Sequence, residues 1–209
     1  MPELDWNARY AEGFIPWDTA TPEPLLVEVV ADRALRPGRA LDIGCGTGTH
    51  ALWLAEQGFD VVGVDVAERA VAQARARAAH TRPAGSVRFV VLDFLREVPD
   101  GGPFDLVFDR GVFHVFDAAE DREAFAARVA RCLAPSGVWL SLIGSTEGPP
   151  RDEGPPRRSA RDTANAIEPS LQIVELRQVL FDRDAEVPKQ AWCCVSRQRE
   201  YPAQPSTQR

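Results

Sequence analysis

The sequence contains little of what nucleic-acid-binding, secreted and membrane-spanning proteins need. Its 24 Lys and Arg residues are outnumbered by 31 Asp and Glu residues, and a net charge of −7 speaks against a nucleic-acid partner, because phosphate binding requires a basic face. No apolar run approaches the ~18 residues that a membrane span requires. The amino-terminal residues 1–5 lack the basic and apolar regions of a secretory signal. We therefore expect no nucleic-acid partner and no membrane partner.

Cysteine is also scarce, and its spacing excludes two common uses. The four cysteines form no C-x-x-C pair. Cys193 and Cys194 are neighbours in a predicted strand, so their side chains point to opposite faces. Neither a zinc site nor a disulfide framework is indicated. These absences predict a reduced, cytoplasmic enzyme without a bound metal.

The length and the pattern of the chain indicate one α/β domain. A chain of 209 residues is long enough for one full core and short for two. Helical and strand patterns alternate, as in a doubly wound sheet. We assign residues 1–21 to an irregular amino-terminal arm, 22–200 to the domain and 201–209 to a disordered tail. The predicted helices lie at 22–35, 48–57, 67–80, 119–133 and 160–168, and the predicted strands at 39–43, 59–65, 87–93, 104–109, 138–143, 172–182 and 190–199.

A glycine-rich turn follows the first predicted strand. Gly44, Gly46 and Gly48 alternate between that strand and a helical pattern, and glycine is needed where a strand turns sharply into a helix or where a ligand presses against bare backbone. Two acids sharpen the signal. Asp42 lies inside the strand, and Asp65 closes the second strand roughly 20 residues on, where a ribose-binding acid belongs. This combination favours an adenosyl cofactor over a pyrophosphate.

Residues 41–48, Leu-Asp-Ile-Gly-Cys-Gly-Thr-Gly, resemble the first motif of the class I S-adenosylmethionine-dependent methyltransferases. Dinucleotide dehydrogenases more often have G-x-G-x-x-G, which requires glycine where this chain has Thr49. The resemblance implies a Rossmann-like, seven-stranded, mostly parallel sheet whose last strand is antiparallel and inserted between strands five and six. It also implies S-adenosylmethionine as cofactor and S-adenosylhomocysteine as product.

The residues that close each strand are the candidate cofactor ligands, because open α/β sheets bind ligands at the carboxyl ends of their strands. The three glycines admit the methionine part of the cofactor. Asp42 either holds the cofactor ammonium through a water or orients the turn, and Asp65 accepts both ribose hydroxyls. Val66 would pack on the adenine, and Asp93 resembles the acid that accepts from the adenine amine. Phe94 either covers the adenine face or belongs to the core.

The amino-terminal arm and the segment after strand four indicate the acceptor. Residues 6–18 are similar to the arm of the thiopurine S-methyltransferase-like group, which includes halide, thiol and tellurite-resistance methyltransferases, and residues 104–111 resemble its fourth strand. The segment that begins at Asp109 lacks the two prolines of the nucleobase amino-methyltransferases. The likeness implies an arm that closes as a lid, with Trp17 near the methyl donor and Arg110 as the cation that steers an anionic acceptor.

Two side chains in this segment are candidate bases. His114 is either a base or a packed structural residue, and Asp109 is a candidate both as base and as cofactor ligand. Arg110 has the alternative of a salt bridge to a neighbour such as Asp109. We expect a monomeric or homodimeric enzyme that methylates a small thiol or other soft nucleophile. The alternatives are O- or N-methylation with a His or Asp base, and a non-catalytic cofactor-binding protein.

Overall fold

The computed structural model describes residues 5–13, 15–33, 35–149, 156–181 and 189–200. The predicted tail at 201–209 and part of the proline-rich loop, 150–155, lie outside the described residues. No described helix is long and apolar enough to cross a bilayer.

Seven strands form one sheet in the order β3-β2-β1-β4-β5-β7-β6. The strands are β1 (Arg39–Ile43), β2 (Asp60–Asp65), β3 (Ser86–Val91), β4 (Phe104–Arg110), β5 (Leu133–Gly144), β6 (Gln172–Phe181) and β7 (Lys189–Arg197). β7 runs antiparallel to both β5 and β6, whereas the pairs from β3 to β5 are all parallel. The predicted sheet, with its last strand inserted between strands five and six, is confirmed.

Helices cover both faces of the sheet. They are α1 (Trp6–Glu12), α2 (Pro24–Asp32), α3 (Thr49–Glu56), α4 (Glu68–Ala78), α5 (Ala119–Cys132) and α6 (Ala160–Ile167), with a 3-10 turn at Phe113–Val115. Two core clusters result, one with α2, α3 and α4 and one with α5 and α6. Successive β1 residues alternate between them, since Ala40 belongs to the first and Leu41 to the second. This alternation is what buries a strand on both faces of a doubly wound fold.

The arm contains a helix that the sequence analysis did not predict. α1 is capped at its start by Asp5, whose carboxylate accepts from the Ala8 amide at 3.0 Å. Gly13 ends it in the left-handed conformation, at φ 72°. Both capping residues are visible in the sequence, but a helix this short depends on its packing for stability. Here that packing is supplied by α4, because Tyr10 forms a cluster with Ala67 and Ala70.

Most strand boundaries lie within two residues of the prediction, and the largest difference is in β5. This strand begins at Leu133 rather than at residue 138, and a register shift between Phe104 and Leu106 of β4 accommodates the added residues. β3 ends at Val91, so Asp93 lies on the following turn and does not close the strand.

Candidate active site

The glycine loop between β1 and α3 has a backbone that only glycine adopts readily. Gly44, Gly46 and Gly48 have φ values of +67°, +53° and +85°. A Cβ at Gly46 would also lie 2.8 Å from the Tyr10 hydroxyl oxygen. The loop is therefore pressed against the arm, and Gly44 and Gly46 line the cleft between them.

Asp65 fixes this loop from the end of β2. One carboxylate oxygen accepts from the Gly46 amide and the other from the Ala67 amide, each at 2.9 Å. Burial raises the pKa of Asp65, and the backbone hydrogen bonds oppose that rise. A carboxylate has about four lone-pair directions, and the backbone of Gly46, Ala67 and Val66 uses up to three of them, so room remains for a further donor. Asp65 thus sets the loop geometry and remains able to accept from a ligand.

Asp42 lines the cleft with an unsatisfied oxygen. The residue is 1% exposed, and its Oδ2 has no hydrogen-bond partner among the described residues. Burial, and then the charge of Asp65, raise the pKa of Asp42 well above its usual value. Burial of a carboxyl oxygen without a hydrogen-bond donor costs free energy. A donor group of a bound ligand would remove that cost, so this oxygen is a candidate ligand contact.

The arm covers the glycine loop with aromatic rings. The Trp17 indole N–H donates to the Tyr10 hydroxyl at 3.2 Å, and Trp6 packs edge-on against Trp17 at 5.6 Å between ring centroids. The cleft under these rings is lined by Tyr10, Trp17, Asp18, Thr19, Asp42, Gly44, Cys45, Gly46, Thr47, Thr49, His50 and Arg110. The sequence analysis named five of these residues as site candidates: Trp17, Asp42, Gly44, Gly46 and Arg110.

A polar clasp, made of Asp18, Thr47, Thr49 and Arg77, ties the arm to the loop. The Thr47 and Thr49 hydroxyls donate to the Asp18 carboxylate, and Arg77 Nη1 donates to the same hydroxyl oxygens at 2.7 and 2.9 Å. Burial opposes the ionisation of Asp18, but these hydrogen bonds and the Arg77 charge outweigh it, so the pKa of Asp18 is lowered. Sequence reasoning missed the clasp because its members lie on the arm, the loop and α4.

Arg110 forms a second link to the arm. Its Nε lies 2.8 Å from Glu23 Oε2 in an ion pair whose side chains are 11% and 8% exposed, and its Nη1 donates to the Trp17 carbonyl at 3.2 Å. The guanidinium also lies 5.0 Å from the ring centre of Phe181. The ion-pair alternative considered from sequence is thus realised with Glu23, at the start of α2, and the cation still lines the cleft.

Asp109 and His114 lie outside the cleft lining. Asp109 is fully buried; one oxygen accepts from the Phe113 amide at 3.1 Å and the other from the Trp139 indole at 3.0 Å. Burial raises its pKa to about 6. His114 Nδ1 accepts from the Gly144 amide at 2.6 Å, and the ring is 2% exposed. These hydrogen bonds connect the turn after β4 to β5, and the roles of both residues as bases beside an acceptor stay predictions.

The three residues expected around the adenine have separate environments. Val66 is 50% exposed at the end of β2, where a ring could pack on it. Asp93 accepts from the Leu95 amide at 2.9 Å and pairs with Arg96 at 3.1 Å, both within its own turn. Phe94 is buried in the core with its ring 5.1 Å from Phe125, the position that its core alternative describes.

His50 also lines the cleft, although it is not among the site candidates predicted from the sequence. Its Nε2 is buried without a hydrogen-bond partner among the described residues, and its ring packs edge-on against Phe108 at 5.2 Å. Burial, and then the charge of Arg110, lower its pKa to about 4, so the imidazole is neutral at pH 7. The signal that could have found it is its place in the first turn of the helix that follows the loop.

Within the described part of the chain, no group of His, Cys, Asp and Glu side chains could hold a metal ion.

Comparison with known proteins places this cleft in a family. Residues 40–137 match the family described as "Methyltransferase domain". The chain is 34% identical to "Thiocyanate methyltransferase 1" of Brassica oleracea over 163 residues, which are 78% of this chain and 70% of that protein. It is 32% identical to the "2-heptyl-1-hydroxyquinolin-4(1H)-one methyltransferase" of Mycobacteroides abscessus, over 67% of this chain and 61% of that one.

A solved structure described as "Conversion of a Disulfide Bond into a Thioacetal Group during Echinomycin Biosynthesis" superposes with a TM-score of 0.74 at 28% identity, covering 88% of this chain and 84% of the other. The chain spans from 61% to 70% of the length of the relatives that head the comparison. The glycine loop, the two acids and these similarities agree, and the chain belongs to the S-adenosylmethionine-dependent methyltransferases.

Proposed function

We propose that this protein transfers a methyl group from S-adenosylmethionine to a small soft nucleophile, such as a thiol or thiocyanate. One observation carries the choice of acceptor. Asp109 and His114, the two bases that the sequence offers on the acceptor side, accept hydrogen bonds from the Phe113 and Gly144 amides inside the protein. A nucleophile that is already ionised needs no base.

The residues of the cleft fit the cofactor. Asp42 Oδ2, buried and without a partner among the described residues, suits the cofactor ammonium. The bare backbone at Gly46 admits the methionine part, and the Asp65 carboxylate, held beside Gly46 at the end of β2, suits a ribose hydroxyl. When bound, the cofactor supplies an electrophilic methyl group on a sulfonium: the acceptor sulfur forms a new C–S bond as the sulfonium C–S bond breaks, and the bonding electrons remain on the sulfur of S-adenosylhomocysteine.

The arm supplies the surroundings for this step. Tyr10 and Trp17 line the cleft, and a sulfonium is attracted to aromatic ring faces as other organic cations are. The covering arm also removes water from the nucleophile, which raises its reactivity. Positioning of the acceptor against the methyl is then the main contribution to catalysis.

Arg110 provides the charge that an anionic acceptor requires. It lines the cleft, and its ion pair with Glu23 together with its bond to the Trp17 carbonyl holds the guanidinium in place. Thiols with a pKa of about 8.5 are partly ionised at neutral pH, and a nearby cation increases the ionised fraction. The Brassica oleracea relative, named for thiocyanate, supports an acceptor of this kind.

A second candidate is methylation of a small oxygen acceptor. The Mycobacteroides abscessus relative is named for a hydroxyquinolinone. Such an acceptor would have to lose a proton unless it is acidic, and a side chain of the cleft would have to accept it. The two candidates therefore differ in how the rate depends on pH.

The test measures the release of S-adenosylhomocysteine with two sets of acceptors. The first set contains thiols, thiocyanate and iodide, and the second contains phenols and amines. We expect turnover with the soft nucleophiles, and for a thiol series we expect the pH at which the rate levels off to follow the pKa of each thiol. Turnover confined to phenols or amines would overturn the proposal. Asp65→Asn serves as the inactive reference and Asp60→Asn, at the opposite end of β2, as its control.

A further inference from the structure

We infer that His50 contacts the anionic acceptor, and that His50 and Arg110 together form an acceptor subsite in which Arg110 supplies the charge and the His50 Nε2–H supplies a hydrogen bond. This inference rests on the proposed function, because it names the residue that selects an acceptor for that same cleft.

The two side chains are brought to one cleft by different elements. His50 lies in the first turn of α3, and Arg110 ends β4. Both line the cleft, and the positive charge of Arg110 is near enough to disfavour protonation of the imidazole. Phe108, two residues before Arg110, packs edge-on against the His50 ring at 5.2 Å and limits its rotation. The strand that carries the cation thus also orients the imidazole.

The unsatisfied nitrogen is the observation that points to a ligand. His50 Nε2 is buried and has no partner among the described residues, whereas buried polar atoms in proteins are nearly always paired. A neutral imidazole that carries its proton on Nε2 presents a donor there. An anion in the cleft would satisfy this donor and would lie beside the Arg110 charge.

The protonation state of His50 suits an acceptor that must still react. With a pKa lowered to about 4, mainly by burial, His50 is a donor at pH 7 and a weak base. A neutral donor holds an anion less strongly than a second cation would. Weaker binding of the ground state leaves the nucleophile reactive, since only interactions that strengthen in the transition state accelerate the step.

The carboxylate of the bound cofactor is the other anion that could reach this nitrogen. The two sources make different predictions, because a residue that holds the cofactor changes S-adenosylhomocysteine affinity, whereas a residue that holds the acceptor leaves it unchanged.

The test compares His50→Leu and His50→Gln with the wild type and with His80→Leu, a histidine outside the cleft lining. Isothermal titration measures the Kd of S-adenosylhomocysteine, and then the Kd of thiocyanate for the S-adenosylhomocysteine complex. We expect His50→Leu to weaken thiocyanate binding about tenfold, the size of one hydrogen bond to a charged group, with an unchanged S-adenosylhomocysteine Kd. His50→Gln, whose amide N–H reaches the position of Nε2, should restore most of the loss, and His80→Leu should match the wild type.

In turnover, His50→Leu should raise KM for thiocyanate by a similar factor and change kcat less. A parallel loss of S-adenosylhomocysteine affinity would assign the nitrogen to the cofactor carboxylate and overturn the inference, as would unchanged or absent thiocyanate binding. Absence of turnover in the wild type would instead contradict the proposed function, while the titration would still test the subsite.

Discussion

At the scale of single residues, position 46 requires glycine for two separate reasons. Its φ of +53° disfavours any side chain, and a Cβ there would lie 2.8 Å from the Tyr10 hydroxyl oxygen. Gly13, at the end of α1, has φ +72°, but among the described residues a Cβ there would meet no atom beyond its chain neighbours within 4 Å. Substitutions at these two glycines therefore separate the effect of backbone strain from the effect of contact with Tyr10.

We expect Gly13→Ala and Gly46→Ala each to lose about 1–2 kcal/mol of unfolding free energy from left-handed strain. Only Gly46→Ala should also weaken S-adenosylhomocysteine binding, because the methyl group displaces Tyr10 and the loop. Urea unfolding and calorimetric titration measure the two effects. Equal cofactor affinity in both variants would contradict the close approach of Gly46 to Tyr10 as a requirement for binding.

His114 provides a second residue-scale prediction. His114→Ala leaves the buried Gly144 amide without its 2.6 Å acceptor, which should cost about 1–3 kcal/mol of stability. His114→Asn, whose side-chain oxygen lies near the position of Nδ1, should recover part of that loss. Because the ring has a structural role, kcat/KM of the folded variants should stay within about threefold of the wild type. A loss of activity of a hundredfold or more without loss of stability would reinstate His114 as a base.

At the scale of elements, polar contacts attach the arm to the domain at three places. The clasp joins Asp18 to the glycine loop, Arg110 (paired with Glu23) donates to the Trp17 carbonyl, and the Asn7 side chain accepts from the Arg69 amide at 3.1 Å. The first two contacts are partly shielded from water, so breaking one should loosen the arm without unfolding the sheet.

Asp18→Asn removes the charge that the clasp is built around. We expect faster hydrogen exchange across residues 6–18 and no change in the sheet strands, with Asp32→Asn, an exposed residue at the end of α2, as control. In the wild type, the stability of the closed arm should also depend on pH. Since the pKa of Asp18 is lowered in the folded state, the contribution of Asp18 to that stability is complete above the ordinary pKa of 3.8 and is lost as the pH falls through the lowered pKa. Unchanged arm exchange in Asp18→Asn would contradict a role for the clasp.

At the scale of the whole molecule, the cleft belongs to the arm and to one end of the sheet. The proposed cofactor residues lie at β1, β2 and the arm, whereas β6 and β7 form one edge of the sheet. Binding of S-adenosylhomocysteine at 100 times its Kd should stabilise the protein by about 2.7 kcal/mol. Hydrogen exchange should slow at the arm and at residues 44–49, with little change at β6. Protection from exchange spread evenly over the sheet would contradict a cleft confined to the arm and one end of the sheet.

The sequence sufficed for the sheet and for the glycine loop because their signals are local. Gly44 to Gly48 and Asp65 lie in one βαβ unit, and alternating apolar segments define the strands. The clasp was not predictable, since Asp18, Thr47 and Arg77 come from three elements about 30 residues apart. The roles of the histidines depended on side-chain direction, which spacing does not reveal: His50 faces the cleft, and His114 accepts from the Gly144 amide.

Asp42 Oδ2 and His50 Nε2, the two buried cleft atoms that have no hydrogen-bond partner in the part of the chain that the structure describes, have a consequence for how this protein changes under selection. Each lowers the stability of the ligand-free fold, so an apolar residue of similar size at either position removes a buried polar group and should raise the melting temperature. Directed evolution for heat resistance alone should therefore replace these two side chains early. The thermostable variants that result should bind cofactor and acceptor poorly.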